Sequence, residues 1–162
     1  MQADFVREYF QLCHENKLHT ALDSSGVIFN EKAKELWKAT DLALLDIKTT
    51  DDDLHRRLTG HSTDNNQATL AYLEELHKPV WIRHVITPGI NNDTAHLLDV
   101  ARYIQQFTCV ERVELLPYHT LGKHKYKQLG LKYALESTPP LSENGLNEAH
   151  LIFRKELQIP VI

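Results

Sequence analysis

Alternating strand and helix signals predict an α/β fold, a partial (β/α) barrel of about four parallel strands in a single domain over residues 1–162. Three observations predict it. Four short apolar runs, in HTALDSSG (19–26), DLALLDIK (41–48), VWIRHVI (80–86) and VERVELLPY (110–118), have the length of strands. Segments with helical spacing separate them. Each run stops at a polar or Pro/Gly-bearing turn. Such alternation means parallel strands joined by right-handed crossovers. Four units make half of an eight-unit barrel; an open sheet is the other arrangement. Ligands sit at the carboxyl ends of the strands in both.

The elements follow in order. The chain opens on a helix in ADFVREYFQLCHENK, where Phe5, Tyr9, Leu12 and Cys13 fall on one face at i, i+4, i+7 and i+8. Barrel and doubly wound domains usually open on a strand, so this start hints at something upstream. The first strand ends in a turn at Ser24–Gly26, and a helix runs over Glu31–Lys38. The second strand is apolar over Leu42–Ile47 except for Asp46, as expected when both faces are covered. Thr49–Asp53 reads as a polar turn and His55–Leu58 as a short helical piece. Thr63 or Asp64 caps the next helix, with Leu70, Leu73 and Leu76 on its buried side. Pro88-Gly89 stops the third strand. Asn92 or Asp93 starts a helix with Leu97, Ala101 and Ile104 inward. The fourth strand stops at Pro117, and a basic loop with His119, Lys123, His124 and Lys125 follows. Residues 130–140 are irregular, and Ser142 caps a last helix ending at Glu156.

A chain of 162 residues with 42% apolar content can bury one sizeable core. Its net charge of -4 argues against a general nucleic-acid or anionic-membrane binder. No apolar run has the length of a bilayer span, and no signal peptide opens the chain. Cys13 and Cys109 form no CxxC or Cys/His spacing, so the chain supports no cysteine-ligated cluster. Reduced thiols and a cytoplasmic location follow; both cysteines read as small core hydrophobes.

The strand tips carry the chemistry. Asp23 ends the first strand, although such a turn position also suits an ordinary cap. Asp46 and Lys48 lie two apart at the end of the second and point to one side. A buried acid needs a partner, so Asp46 is the hardest to read as scaffold. Arg83 shares a face with Trp81 and Val85, His84 faces helices, and His119 follows the fourth strand. With strands about 4.8 Å apart, Asp23 and Asp46 approach closely if their strands are neighbours. Two such carboxylates repel unless a cation sits between them; Lys48 is one candidate and a metal ion another. With Arg83 and His119 they form a polar cluster able to hold a zwitterion bearing a carboxylate.

Four motifs, LDSSG (22–26), LLDIK (44–48), VWIRHVITPG (80–89) and ELLPYHTLGKHKYKQLG (114–130), resemble the pyruvate formate-lyase activating enzymes, a glycyl-radical activating family of radical S-adenosylmethionine enzymes. The resemblance spans nearly the whole chain, and the last motif is the most specific. It implies a C-terminal part of a radical S-adenosylmethionine partial barrel, missing its N-terminal βα units. In that family a [4Fe–4S] cluster on a CxxxCxxC loop cleaves S-adenosylmethionine, and the 5′-deoxyadenosyl radical removes a glycine hydrogen atom from the partner lyase. The resemblance implies S-adenosylmethionine contacts at Asp46, Ile47, Lys48, Arg83 and His119. It implies a monovalent cation among Asp23, Ser24 and Asp46. Pyruvate formate-lyase is the implied partner and flavodoxin an implied electron donor. The family's CxxxCxxC and Gly-Gly-Glu stretches are absent, and Ser25 stands where the family often has Asn. This chain therefore carries no cluster ligands and no catalytic residue of its own, and alone it is expected to be inactive. Missing front strands leave the first strand as an open edge, which invites self-association.

Two other functions compete. One is a lyase using Lys48 as a Schiff-base amine. The other is a non-catalytic module that docks a partner through the 122–130 loop.

Overall fold

The computed structural model describes residues 2–162. Its elements are α1 (Ala3–Glu15), β1 (Ala21–Ser24), α2 (Glu31–Lys38), β2 (Leu42–Asp46), α3 (Asp52–Thr59), α4 (Asp64–Glu75), β3 (Val80–Ile86), α5 (Thr94–Ile104), β4 (Val110–Pro117), α6 (Lys123–Gln128) and α7 (Glu143–Glu156). All four strands are parallel, in spatial order β1-β2-β3-β4. Side-chain parity gives the sheet two unlike faces. Ala43, Leu45, Ile47, Val80, Ile82, His84, Ile86, Val113 and Leu115 are buried beneath Trp37 of α2, Leu70 and Leu73 of α4, Leu97, Val100 and Ile104 of α5, and Phe153 of α7. Leu44, Asp46, Trp81, Arg83, Val85, Glu114 and Leu116, on the other face, are only half-buried. Helices pack on one face alone, which is half a barrel and not a doubly wound sheet. The expectation that β2 is covered on both faces fails for this reason.

Local chemistry sets the boundaries. Asn30, Asp51, Asp93 and Ser142 accept N–H bonds from Ala33, Leu54, His96 and Gly145, capping α2, α3, α5 and α7. The Asp51 cap starts α3 at Asp52, ahead of the expected helical piece at His55–Leu58. Thr63 precedes α4 without capping it: its hydroxyl donates to Asp52 at 3.1 Å instead. Leu70 and Leu73 are fully buried, but Leu76 is only partly so. Lys123–Gln128, expected as loop, winds into the short α6.

The largest departure is in α1. Phe5, Tyr9 and Leu12 are 65%, 56% and 57% exposed. Ala3 and Phe10, with Val6, make the inward face and pack on Leu36 of α2. These positions also recur at helical spacing, so the helix carries two apolar stripes and only one finds a neighbour among the described residues. The sheet edges differ likewise. Residues 160–162 pair with β4: Val113 N–H donates to Pro160 O at 3.0 Å and Leu115 N–H to Ile162 O at 2.8 Å. β1 pairs only with β2 among the described residues. No helix among them is long and apolar enough to cross a membrane.

One polar anchor joins α4 to β4. The Glu74 carboxylate accepts the Thr108 hydroxyl at 2.6 Å, Thr108 N–H at 3.1 Å and Cys109 N–H at 2.8 Å. Burial works to raise its pKa, but these donors outweigh it and hold it down at about 2. Glu74→Ala strands three donors and is expected to cost about 2 kcal/mol. The check is a lower urea midpoint at unchanged slope.

Candidate functional site

Charged side chains gather on the open face, toward the carboxyl ends of the strands. Register places Asp46 of β2 beside Arg83 of β3 and Arg83 beside Glu114 of β4. Asp23 pairs with Leu44, two residues before Asp46, and so shares that face. Arg83 spans the row. Its Nη1 donates to Asp23 Oδ2 at 2.6 Å, across β2, and its Nε lies 3.4 Å from Glu114 Oε2. Lys48 Nζ donates to Asp46 Oδ2 at 3.1 Å. Arg83 is 29% exposed and Glu114 22%, so that pair is less screened than a surface pair, whereas Asp23 is 54% exposed. Within this ion-paired row three carboxylates face two cations; Arg112, 4.0 Å over the Trp81 ring, is a further cation on the same face but pairs with none of them.

Two hollows flank the row. One, of about 210 Å³, is lined by Asp46 and Lys48 together with Ser25, Val27, His55, Thr59 and His61. The other, of about 360 Å³, is lined by Arg83, Val85, Leu116, Pro117, Tyr118 and His119. The structure thus brings Asp23, Asp46, Lys48, Arg83 and His119 to one end of the sheet, with Asp46 and Lys48 in one recess, Arg83 and His119 in the other, and Asp23 lining neither. His119 is exposed, and its Nδ1 accepts Leu121 N–H at 3.3 Å.

Two residues read from the sequence stand apart. The Ile47 side chain is 1% exposed in the helix-side core, so only its backbone is near the row. Ser24 is out of phase with Asp23. It pairs with buried Leu45, its hydroxyl accepts Gly26 N–H at 3.1 Å, and it lines a small hollow with Asp23, Leu36 and Trp37. Its hydroxyl is therefore turned away from Asp46. Glu114 and His55 were not legible as site residues from the sequence reading. Glu114 carries the signal used for Asp46, an acid inside an apolar strand. His55 is buried, and its Nδ1–H donates to His61 O at 2.7 Å, which holds the recess wall.

A third hollow, of about 540 Å³, lies beside α6 among Lys123, His124, Tyr126, Lys127 and Tyr133, away from the row. Among the described residues no three His, Cys, Asp or Glu side chains converge as a metal-binding group. Cys13 lies on α1, whereas Cys109 immediately precedes β4, at the amino end of the sheet. Burial first, then the Glu74 carboxylate, push the Cys109 thiol up and keep it protonated.

Comparison with known proteins gives this geometry a context. A family model described as the Radical SAM superfamily matches residues 1–101. The chain is 38% identical over 162 residues to a pyruvate formate-lyase-activating enzyme of Streptococcus mutans, covering 96% of this chain and 62% of that protein. It is 39% identical over 167 residues to the enzyme of the same name from Staphylococcus epidermidis, covering 99% of this chain and 66% of that protein. The chain therefore spans somewhat less than two thirds of the relatives it matches. A solved domain of the pyruvate-formate lyase-activating enzyme from Bacteroides vulgatus superposes with a TM-score of 0.80 at 19% identity, covering 99% of this chain and 89% of that one. That likeness speaks for the fold.

Proposed function

Since the chain belongs to the radical SAM superfamily, we propose that its open face is part of the S-adenosylmethionine site of a pyruvate formate-lyase-activating enzyme. The supporting observation is the row Asp23–Arg83–Glu114 with Asp46–Lys48 beside it. S-adenosylmethionine carries a sulfonium, an ammonium and a carboxylate, a net single positive charge. The row has one carboxylate in excess, so ligand and site neutralise each other. Arg83 and Lys48 take the ligand carboxylate, Asp46 and Glu114 take the ammonium, and His119 closes the outer recess. Exchanging internal ion pairs for ligand ion pairs keeps every charge compensated. S-adenosylmethionine bound there would supply hydrogen-atom abstraction from a glycine of the lyase once it received an electron from a cluster this chain does not hold. This chain's residues orient the ligand for that chemistry. The monovalent cation implied between Asp23 and Asp46 would add one positive charge beyond this balance; there Ser24 would give its carbonyl, since its hydroxyl is engaged with Gly26.

A [4Fe–4S] cluster does not fit this chain. It has two cysteines, on α1 and at the amino end of β4, and a cysteine-held cluster needs three or more thiolates at one place. We expect the polypeptide alone to bind ligand and not to turn over. The Schiff-base reading is disfavoured, because the Lys48 ammonium is held by Asp46 and not set in an apolar pocket.

The test is calorimetric titration of the chain with S-adenosylmethionine and with S-adenosylhomocysteine, which lacks the sulfonium charge. The sulfonium compound is expected to bind about tenfold more tightly, and Asp46→Asn to weaken both ligands about tenfold, since both carry the ammonium it holds. Equal affinity for the two ligands, or an Asp46→Asn variant that binds both as the wild type does, overturns the reading.

A further inference from the structure

The backbone that carries Asp46 and Lys48 is held from behind. Three consecutive carbonyls, of Asp46, Ile47 and Lys48, each accept a hydrogen bond from a different buried side chain on the helix side of the sheet. Asn66, in the first turn of α4, donates through Nδ2 to Asp46 O at 2.9 Å and to Ser25 O at 2.8 Å. His84 of β3 donates through Nδ1 to Ile47 O at 2.6 Å. Asn91, in the turn before α5, donates through Nδ2 to Lys48 O at 3.1 Å and to Val85 O at 2.9 Å. The donors are 6%, 0% and 2% exposed. Carbonyls only accept, so the polarity of each contact is fixed: the amide NH2 faces the strands, and His84 carries its proton on Nδ1.

The placement follows the sheet. The β1–β2 ladder ends at Ser24–Leu45 and the β2–β3 ladder at Asp46–Arg83. Beyond those points the strand ends diverge, and their carbonyls need other donors. Asn66 ties the ends of β1 and β2 together, and Asn91 those of β2 and β3. Gly26 leaves room for this. Its φ is +66°, and a Cβ there would lie 3.2 Å from Asn66 Nδ2 and 3.0 Å from Leu45 Cδ1. Asn91 is itself fixed, since its Oδ1 accepts Thr87 N–H at 2.7 Å.

We propose that Asn66, His84 and Asn91 are positioning residues, a three-donor brace that sets the Asp46–Lys48 backbone and so aims both charged side chains at the ligand. None of the three lines either recess beside the charged row. The brace works through Asp46 and Lys48, and its consequence for S-adenosylmethionine rests on the reading above. Burial lowers the imidazole's pKa to about 4, so the ring is neutral at neutral pH with its proton on Nδ1; protonation at lower pH would leave that donor in place.

Substitutions can separate the brace from general stability. Asn91→Asp keeps the Thr87 bond but turns the donors toward Lys48 and Val85 into a repelling carboxylate. His84→Leu removes the Nδ1 donor, and His84→Asn restores an N–H at nearly the same place. The first readout needs no ligand. By amide exchange, residues 47–50 are expected to open at least tenfold faster in Asn91→Asp and His84→Leu, relative to the β3 centre, and to recover in His84→Asn. The second is titration with S-adenosylmethionine, where the dissociation constant is expected to rise about tenfold in both variants and to return within about threefold in His84→Asn. Glu74→Ala is the control, lowering stability at a distance without changing affinity. Uniform exchange across the sheet, or an affinity loss in Glu74→Ala equal to that in His84→Leu, overturns the brace. A wild-type chain that binds no S-adenosylmethionine overturns the function proposed above, while the exchange experiment still decides the brace.

Discussion

Arg83→Ala is expected to weaken S-adenosylmethionine binding by about a hundredfold, roughly 2 to 3 kcal/mol, the largest loss from any single change in the row. Two terms add. The ligand carboxylate loses its forked donor. In its place stand Asp23, Asp46 and Glu114, three carboxylates with Lys48 alone to offset them. The extra negative charge would attract the sulfonium, but with Arg83 holding the ligand carboxylate, as proposed, the direct loss outweighs it because Coulomb energies fall with distance. Arg83→Lys is expected to recover only part of the loss, because one ammonium cannot serve Asp23 and Glu114 together as the planar fork does. Titrations at two salt concentrations check this, with the Arg83→Ala deficit shrinking at high salt. An Arg83→Ala variant that binds as the wild type removes the row from the ligand site.

Much of the fold was legible because the signals are local. The strand centres and the caps at Asp93 and Ser142 follow from alternation and side-chain acceptors, and the helix over Glu31–Lys38 from its spacing. What misled was partnership. Phe5, Tyr9 and Leu12 have the spacing of a buried stripe, but spacing cannot reveal which of two apolar stripes meets α2. In β2, Leu42 and Leu44 extend an apolar run that suggests cover on both faces, yet their face is the open one. Basic residues made Lys123–Gln128 resemble loop, although Lys, Tyr and Gln form a helical turn readily.

The candidate site divides in the same way. Strand parity alone joined Asp46 and Lys48 and set Arg83 on the face of Trp81. The same parity separates Ser24 from Asp23, a signal available in the sequence that opposes a shared hydroxyl ligand. That Arg83 reaches past β2 to Asp23 depends on strand order and side-chain length, which periodicity does not encode. Asn66, His84 and Asn91 bond to carbonyls 20, 37 and 43 residues away at the 46–48 segment, contacts that no local pattern announces.

Buried His84 also gives the fold a distinctive acid response. Burial chiefly lowers its pKa to about 4, against 6.5 when unfolded, with the bond to the Ile47 carbonyl opposing. His96, which stacks on it with ring centroids 6.2 Å apart, is lowered too, again chiefly by burial. A depressed histidine binds its proton in the unfolded state first, so stability is full above pH 6.5 and falls as pH drops toward 4. For His84 alone that loss is about 3 kcal/mol. The depressed carboxylates Glu74 and Asp41, both near 2, lose their contribution in a lower window, from their unfolded values near 4.5 and 3.8 downward. The two windows separate experimentally. Urea midpoints at pH 7, 5.5 and 4.5 are expected to fall steeply for the wild type. His84→Asn carries the same donor without a titrating ring, so its midpoints should fall far less over that interval. Identical pH slopes for the two proteins would mean that burial does not hold the imidazole in its neutral form, although its Nδ1–H would still donate to the Ile47 carbonyl.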